Sequence, residues 1–156
     1  MSENTPIPTR AEFTHFSNIQ TRWHDNDVYQ HVNNVVYYSF FDTAVNQHLI
    51  NSGVLDIANS PAIGLVIETQ CRYFSAVSFP DLVSVGIKVE HLGNSSVRYE
   101  IGIFTEGDEE PAATGYFVHV FVDRDHGNLP TSVPARIRKA LTRLTTGDGH
   151  ITTTAK

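Results

Sequence analysis

The chain has 156 residues, an ordinary apolar content and a formal net charge of −6. That length suffices for one domain with its own core, and the acidic balance excludes the basic surface that nucleic-acid binding needs. A lone cysteine, Cys71, excludes an internal disulfide, and neither a long uncharged apolar run nor a signal-like start is present. The expectation is a cytoplasmic protein with no membrane or nucleic-acid partner.

In chain order, residues 1–12 are polar with two prolines and are expected to be flexible. His15 to Trp23 alternates as a short strand does. From Asn34 to Ile50 the pattern is helical, with Val35, Val36, Tyr37, Tyr38, Phe40, Phe41, Ala44 and Val45 on nearly every side, which predicts a helix buried all round. Asn33 or Asn34 serves as its N-cap and Asn51-Ser52-Gly53 as its stop. Strands follow over Ile63 to Ser75, over the Val83, Val85, Ile87 and Val89 alternation, over Val97 to Ile103 and over Ala113 to Val122, with turns at Ser78 to Asp81, Leu92 to Ser95 and Glu106 to Pro111. A short basic helix spans Val133 to Leu144, and residues 145–156 form a Thr- and Gly-rich tail expected to be flexible. The strands and the single apolar helix predict an α+β fold, one domain over residues 13–144, in which an antiparallel sheet of about five strands wraps one long buried helix.

Chemistry concentrates in the polar loop from Arg22 to Asn34, which contains His24, Asp25, Asp27 and His31 and runs straight into the apolar helix. A carboxylate beside unpaired N-terminal helix amides suits attack on, or polarisation of, a carbonyl. Asp27 and Asp25 also fit turn-capping roles, His31 fits a satisfied core group, and the side chains of Asn33 and Asn34 fit capping. The four ionisable side chains are metal-ligand types, but their spacing matches no zinc pattern, so no metal is expected. Cys71 has no histidine in its vicinity along the chain and reads as a buried, inert thiol.

The run Trp-His-Asp-Asn-Asp-Val-Tyr-Gln-His-Val-Asn-Asn, followed by Val-Val-Tyr-Tyr-Ser-Phe-Phe-Asp, over residues 23–42 resembles the hotdog-fold acyl-CoA thioesterases of the 4-hydroxybenzoyl-CoA thioesterase type. Phe79 to Gly86, the Gly93-Asn94-Ser95-Ser96 hairpin and the closing strand ending Val122-Asp123 continue the resemblance. It implies a hotdog fold whose active sites form between subunits of a homodimer or homotetramer. It implies Asp27 as the catalytic carboxylate, acting as nucleophile or general base, and the backbone N–H near Asn34 as the donor that polarises the thioester carbonyl, with His31 assisting. Ser95, Ser96 and Arg98 are candidate contacts to coenzyme A, which is part of the substrate, so no separate cofactor is implied. One departure stands out: Gln30 occupies the position before His-Val-Asn-Asn where the family usually has glycine.

Two other functions compete. A hotdog hydratase or dehydratase shares the fold, but its signature sets histidine five residues after aspartate with an intervening Asn-Pro, whereas Asp27 and His31 are four apart. A non-catalytic acyl-CoA or acyl-carrier binder is motivated by Gln30, because a fold does not by itself guarantee a retained reaction.

Overall fold

In the computed structural model, which describes residues 6–145, the chain runs β1 (His15–Gln20), α1 (Val36–Asn51), β2 (Ala62–Tyr73), β3 (Leu82–Leu92), β4 (Ser96–Thr105), β5 (Ala113–Asp123), the two-residue β6 (Leu129–Pro130) and α2 (Ala135–Thr142). The six strands pair antiparallel, in the order β1-β3-β4-β5-β2, with β6 added to the end of β5. Among the described residues β2 pairs only with β5, so it is an edge strand.

The alternation in β3 and β4 turns Val83, Val85, Ile87, Val89, Val97, Tyr99, Ile101 and Ile103 to one side, and all are buried. α1 lies across that side, with Tyr37, Phe40, Phe41, Ala44, Val45 and Leu49 packed into the same core. At Gly115 of β5 a Cβ would stand 2.8 Å from the Phe41 ring and would overlap the Gln70 carbonyl oxygen of β2, so the seating of the helix and the pairing with β2 both require glycine there. Phe41 is fully buried; truncating such a phenylalanine costs about 3–5 kcal/mol. A curled antiparallel sheet holding one long helix is the hotdog fold.

The helix is not buried all round. Ser39, Asp42, Thr43 and Gln47 are exposed, and their spacing of three, four and eight residues from Ser39 draws a polar stripe along one side. The dense aromatic and aliphatic run of the first turns conceals that stripe, because polar residues thin enough to miss by eye still fall on one face at helical period. Asp42 lies on this open side, where Asn46 Nδ2 donates to it at 3.2 Å.

Two further differences have local causes. β1 ends at Gln20 because the chain then turns through a short 3₁₀ segment at Trp23–Asp25, whose geometry is fixed by Arg22 and Asp25. β6 is too short to carry a sequence period, and its pairing of Pro130 with Val122 is a consequence of the neighbouring turn. Within the expected flexible N-terminal stretch, residues 6–12 lie beside the sheet: the Arg10 guanidinium sits over the Phe104 ring at 4.9 Å and its Nε donates to the Asp108 carbonyl at 2.8 Å. Residues 1–5 and 146–156, most of the two expected flexible ends, lie outside the described residues. α2 closes one end of the core through Ile137, Ala140 and Leu141, while Arg138 donates to the carbonyls of Gly93 and Asn94.

Candidate active site

Asp27 opens a tight hairpin. Its N–H donates to the His31 carbonyl at 3.0 Å, the Gln30 N–H returns to the Asp27 carbonyl at 2.9 Å, and Asn26 bridges Val32. A three-residue loop of this kind places its last residue in the left-handed region, normally glycine's territory. That residue is Gln30, with φ of 70°. Gln30 therefore keeps the turn a glycine would make, at a conformational cost of about 1–2 kcal/mol.

The hairpin is clamped from both sides. Val32 N–H donates to the Val77 carbonyl at 2.7 Å, Phe79 N–H to Asn26 Oδ1 at 3.1 Å and Ser78 Oγ to the Gln30 carbonyl at 3.0 Å, all from the segment that leads into β3. On the other side Asp25 is buried and held by Arg22, whose backbone N–H reaches Oδ2 at 2.7 Å and whose guanidinium reaches Oδ1 at 2.8 and 3.1 Å. Burial alone would raise the Asp25 carboxyl, but the hydrogen bonds and charge of Arg22 outweigh it and hold the group below the usual carboxylate range. Asp25 is thus a structural anchor, as the turn reading predicts.

The Asp27 carboxylate is half-buried and oriented by two donors: Tyr29 N–H on Oδ1 at 2.9 Å and Asn33 Nδ2 on Oδ2 at 3.2 Å. Those donors occupy the place for which His31 is a candidate in the sequence. The His31 ring is exposed and makes no hydrogen bond to Asp27, because the hairpin uses the backbone of His31 to face Asp27. His31 lines an open cleft of about 320 Å³ together with Val32, Asn34, Tyr37, Tyr73, Phe74, Ser75 and Ala76. Asp27 itself does not line that cleft within one protomer.

The N-cap of α1 is Val35 rather than Asn33 or Asn34, because the chain already turns helically before it, and no side chain caps the helix there. Ahead of α1 the backbone donors divide. Val35 N–H is taken by Asn33 Oδ1 at 3.0 Å, Val36 N–H by the Asn33 carbonyl at 2.9 Å and Tyr37 N–H by the Asn34 carbonyl at 3.3 Å. The Asn34 N–H has no acceptor among the described residues. Its own peptide carbonyl, that of Asn33, accepts from Val36, and a peptide polarised at its oxygen is a stronger donor at its nitrogen. A free, polarised N–H at the head of a helix is suited to receive negative charge.

Ser95, Ser96 and Arg98 stand elsewhere. Ser96 starts β4 at the Leu92 end of β3, whereas the hairpin meets the Leu82 end, roughly 30 Å away for a strand of this length. Ser95 lines a cleft with Asn94, Pro130, Thr131 and Ser132. Arg98 pairs with Glu90 at 3.0 Å and stacks over the Tyr116 ring at 3.8 Å. Within one protomer these three do not reach Asp27.

Cys71 is partly buried, and burial pushes its thiol up to about 11, which keeps it protonated. No three His, Cys, Asp or Glu side chains gather as a metal-binding group among the described residues. Two site residues escape sequence reasoning. Asn33 reads only as a cap, and its bond to Asp27 follows from the hairpin register; its one signal is the short spacing of six residues from Asp27. Tyr73 carries no signal, because it reaches the helix start from a strand far along the chain.

The chain belongs to the thioesterase-like superfamily, whose family model matches residues 21–141, so thioester hydrolysis is its general chemistry. Among solved structures it is similar to the PA5185 protein of Pseudomonas aeruginosa strain PAO1, at 51% identity and a TM-score of 0.88, covering 91% of this chain and 99% of that one. It is also similar to a thioesterase of Thermus thermophilus whose structure holds coenzyme A and zinc, at 28% identity and a TM-score of 0.70 over 85% of this chain and 95% of that one. The uncharacterized protein YsmA of Bacillus subtilis (strain 168) is 25% identical over 119 residues, which are 76% of this chain and 79% of YsmA.

Proposed function

We propose that the protein hydrolyses an acyl-CoA thioester to the free acid and coenzyme A. The observation that carries this reading is the Asn34 N–H at the head of α1, without an acceptor among the described residues and seven residues from a carboxylate held by two donors. Asp27 either attacks the thioester carbonyl, expelling the thiolate and leaving a mixed anhydride that water opens, or takes a proton from a water that attacks. In both routes negative charge grows on the carbonyl oxygen, and the Asn34 N–H receives it. Coenzyme A thiolate leaves readily, so His31 assists in binding or proton transfer at the cleft rather than supplying a strong acid. The apolar walls from Val32, Tyr37, Tyr73 and Phe74 suit the acyl group.

The working unit in this reading is a homodimer, alone or doubled, with the active site between subunits. The β2 edge carries Leu65, Val66 and Ile67, all exposed, beside unpaired backbone, the combination that recruits another strand. Antiparallel pairing of two β2 edges would set the Tyr73 end of one protomer, with its cleft, against the Ala62 end of its partner. The partner subunit's Ser95, the partner subunit's Ser96 and the partner subunit's Arg98 lie toward that end of the sheet, two strands in from the edge. Their assignment to coenzyme A thus depends on the second subunit.

The left-handed Gln30 bears on the binder alternative. Because glutamine here adopts the conformation glycine serves, its presence gives no ground for a lost reaction. The decisive experiment is release of free thiol from a panel of aromatic, short and long acyl-CoAs by the wild-type protein and by Asp27→Asn. Hydrolysis that Asp27→Asn abolishes supports the assignment; tight binding without turnover across the panel, or full activity of Asp27→Asn, rejects it.

A further inference from the structure

We infer that Asn33 is a positioning residue that fixes the Asp27 carboxylate relative to the Asn34 N–H, a role that rests on the hydrolase reading above. Four groups of this one residue are engaged at once. Its N–H donates to the Asp25 carbonyl at 2.9 Å, its Nδ2 to Asp27 Oδ2 at 3.2 Å, its Oδ1 accepts from Val35 N–H at 3.0 Å, and its carbonyl accepts from Val36 N–H at 2.9 Å.

These bonds join three parts that must not drift apart. Asp25 is the rigid anchor, locked by Arg22. Asp27 carries the carboxylate. The peptide between Asn33 and Asn34 carries the free donor, and the Val36 bond to its carbonyl sets both its direction and its polarity. A hydrogen-bond acceptor alone would cap the helix; only a side chain with a donor as well can also hold Asp27 Oδ2. Asparagine is the shortest side chain offering a carbonyl and an amide from one planar group, so its two bonds fix the carboxylate and the first helix turn in one frame. With Tyr29 N–H on the other oxygen, neither Asp27 oxygen swings freely.

Asn33→Asp separates this role from capping. Aspartate is as good a cap and still accepts from Val35 N–H, but it cannot donate to Asp27 and sets a second carboxylate beside the first. The measurements are thermal unfolding and the steady-state kinetics of thiol release for wild type, Asn33→Asp and Asp27→Asn, on whichever acyl-CoA the wild type turns over. The expected result is an Asn33→Asp protein that folds, with kcat reduced about 100-fold and KM changed by less than about threefold, the split that marks lost orientation rather than lost binding. Should the Asp variant not fold, Asn33→Ser keeps a cap acceptor but is too short to span to Asp27, and the same kinetic split is expected of it.

A folded Asn33→Asp or Asn33→Ser protein with wild-type kcat overturns the inference while leaving the hydrolase reading intact. A loss of activity confined to a raised KM also overturns it, because it assigns Asn33 to substrate binding. Absence of thiol release by the wild-type protein overturns the hydrolase reading and this inference with it, whereas undiminished release by Asp27→Asn leaves hydrolysis standing and overturns the Asp27 assignment together with this inference.

Discussion

The Tyr73 hydroxyl donates to the Asn34 carbonyl at 3.0 Å, tying the end of the edge strand β2 to the turn that leads into α1. The bond fixes the helix head from the side opposite the hairpin, and it lies in the wall of the cleft that Asn34 and Tyr73 share. Tyr73→Phe keeps the ring and its edge-on contact with Tyr37, at 5.0 Å between centroids, and deletes only the bond. The expected cost is about 1 kcal/mol in a urea unfolding curve, and an unchanged midpoint would show that the helix head does not depend on this tie.

Gln30 holds a backbone conformation that favours glycine. Gln30→Gly relieves that conformation but frees the unfolded chain, so the net gain expected is about 1 kcal/mol or a little less. Denaturant unfolding at constant slope measures it; a loss of stability would mean that the glutamine side chain contributes contacts worth more than the relief.

Burial lowers His119 from 6.5 to about 4, and its Nδ1 has no hydrogen-bond partner among the described residues. Between those two values the unfolded chain holds a proton on this ring that the folded chain does not, so unfolding takes up a proton. Stability attributable to His119 is therefore whole above pH 6.5 and is lost as pH falls toward 4, by about 3 kcal/mol in all. His15 and His48, whose rings stand 4.4 Å apart and are also lowered by burial, add loss of the same sign. Comparing wild type with His119→Leu isolates the first contribution: the fall in unfolding free energy from about pH 7 to about pH 4 should be smaller in the variant by roughly that amount. Parallel curves would assign the acid sensitivity elsewhere.

The exposed Leu65, Val66 and Ile67 on the β2 edge make Ile67→Lys a test of assembly. A lysine on an edge strand opposes strand addition. Light scattering should report a multiple of the 17.4 kDa chain for wild type and a shift toward the single-chain mass for Ile67→Lys. Thiol release should fall with it, since the site is proposed to lie between subunits. A wild-type protein that is already monomeric would remove the interface from the mechanism.

Much of the fold was legible because it depends on local periodicity. The alternation of β3 and β4 announces a sheet with one buried face, and the Asn51-Ser52-Gly53 stop marks the end of α1 within a residue. The polar stripe through Ser39, Asp42, Thr43 and Gln47 was equally present in the sequence but hidden among aromatics. In the candidate site, Asp25 was legible as a turn anchor because its partner, Arg22, is only three residues away. Asn33 was legible as a residue of the helix approach, though the N-cap is Val35 and Asn33 Oδ1 takes the Val35 N–H in the turn before it; it was not legible as a partner of Asp27, since that bond requires a hairpin closed by Gln30 in a left-handed conformation.

The sequence by itself determined the order of elements, the polar loop that meets the helix and the family to which the chain belongs, because each rests on neighbours along the chain. Tertiary structure decided the rest. It chose which donors reach Asp27, left the Asn34 N–H without a partner among the described residues, turned His31 outward, brought Tyr73 from 39 residues away onto the helix head and kept Ser95, Ser96 and Arg98 at the far end of the sheet. Hydrogen bonds and contacts between distant segments depend on strand register and on the angle at which a helix seats, and no local pattern of residues encodes either.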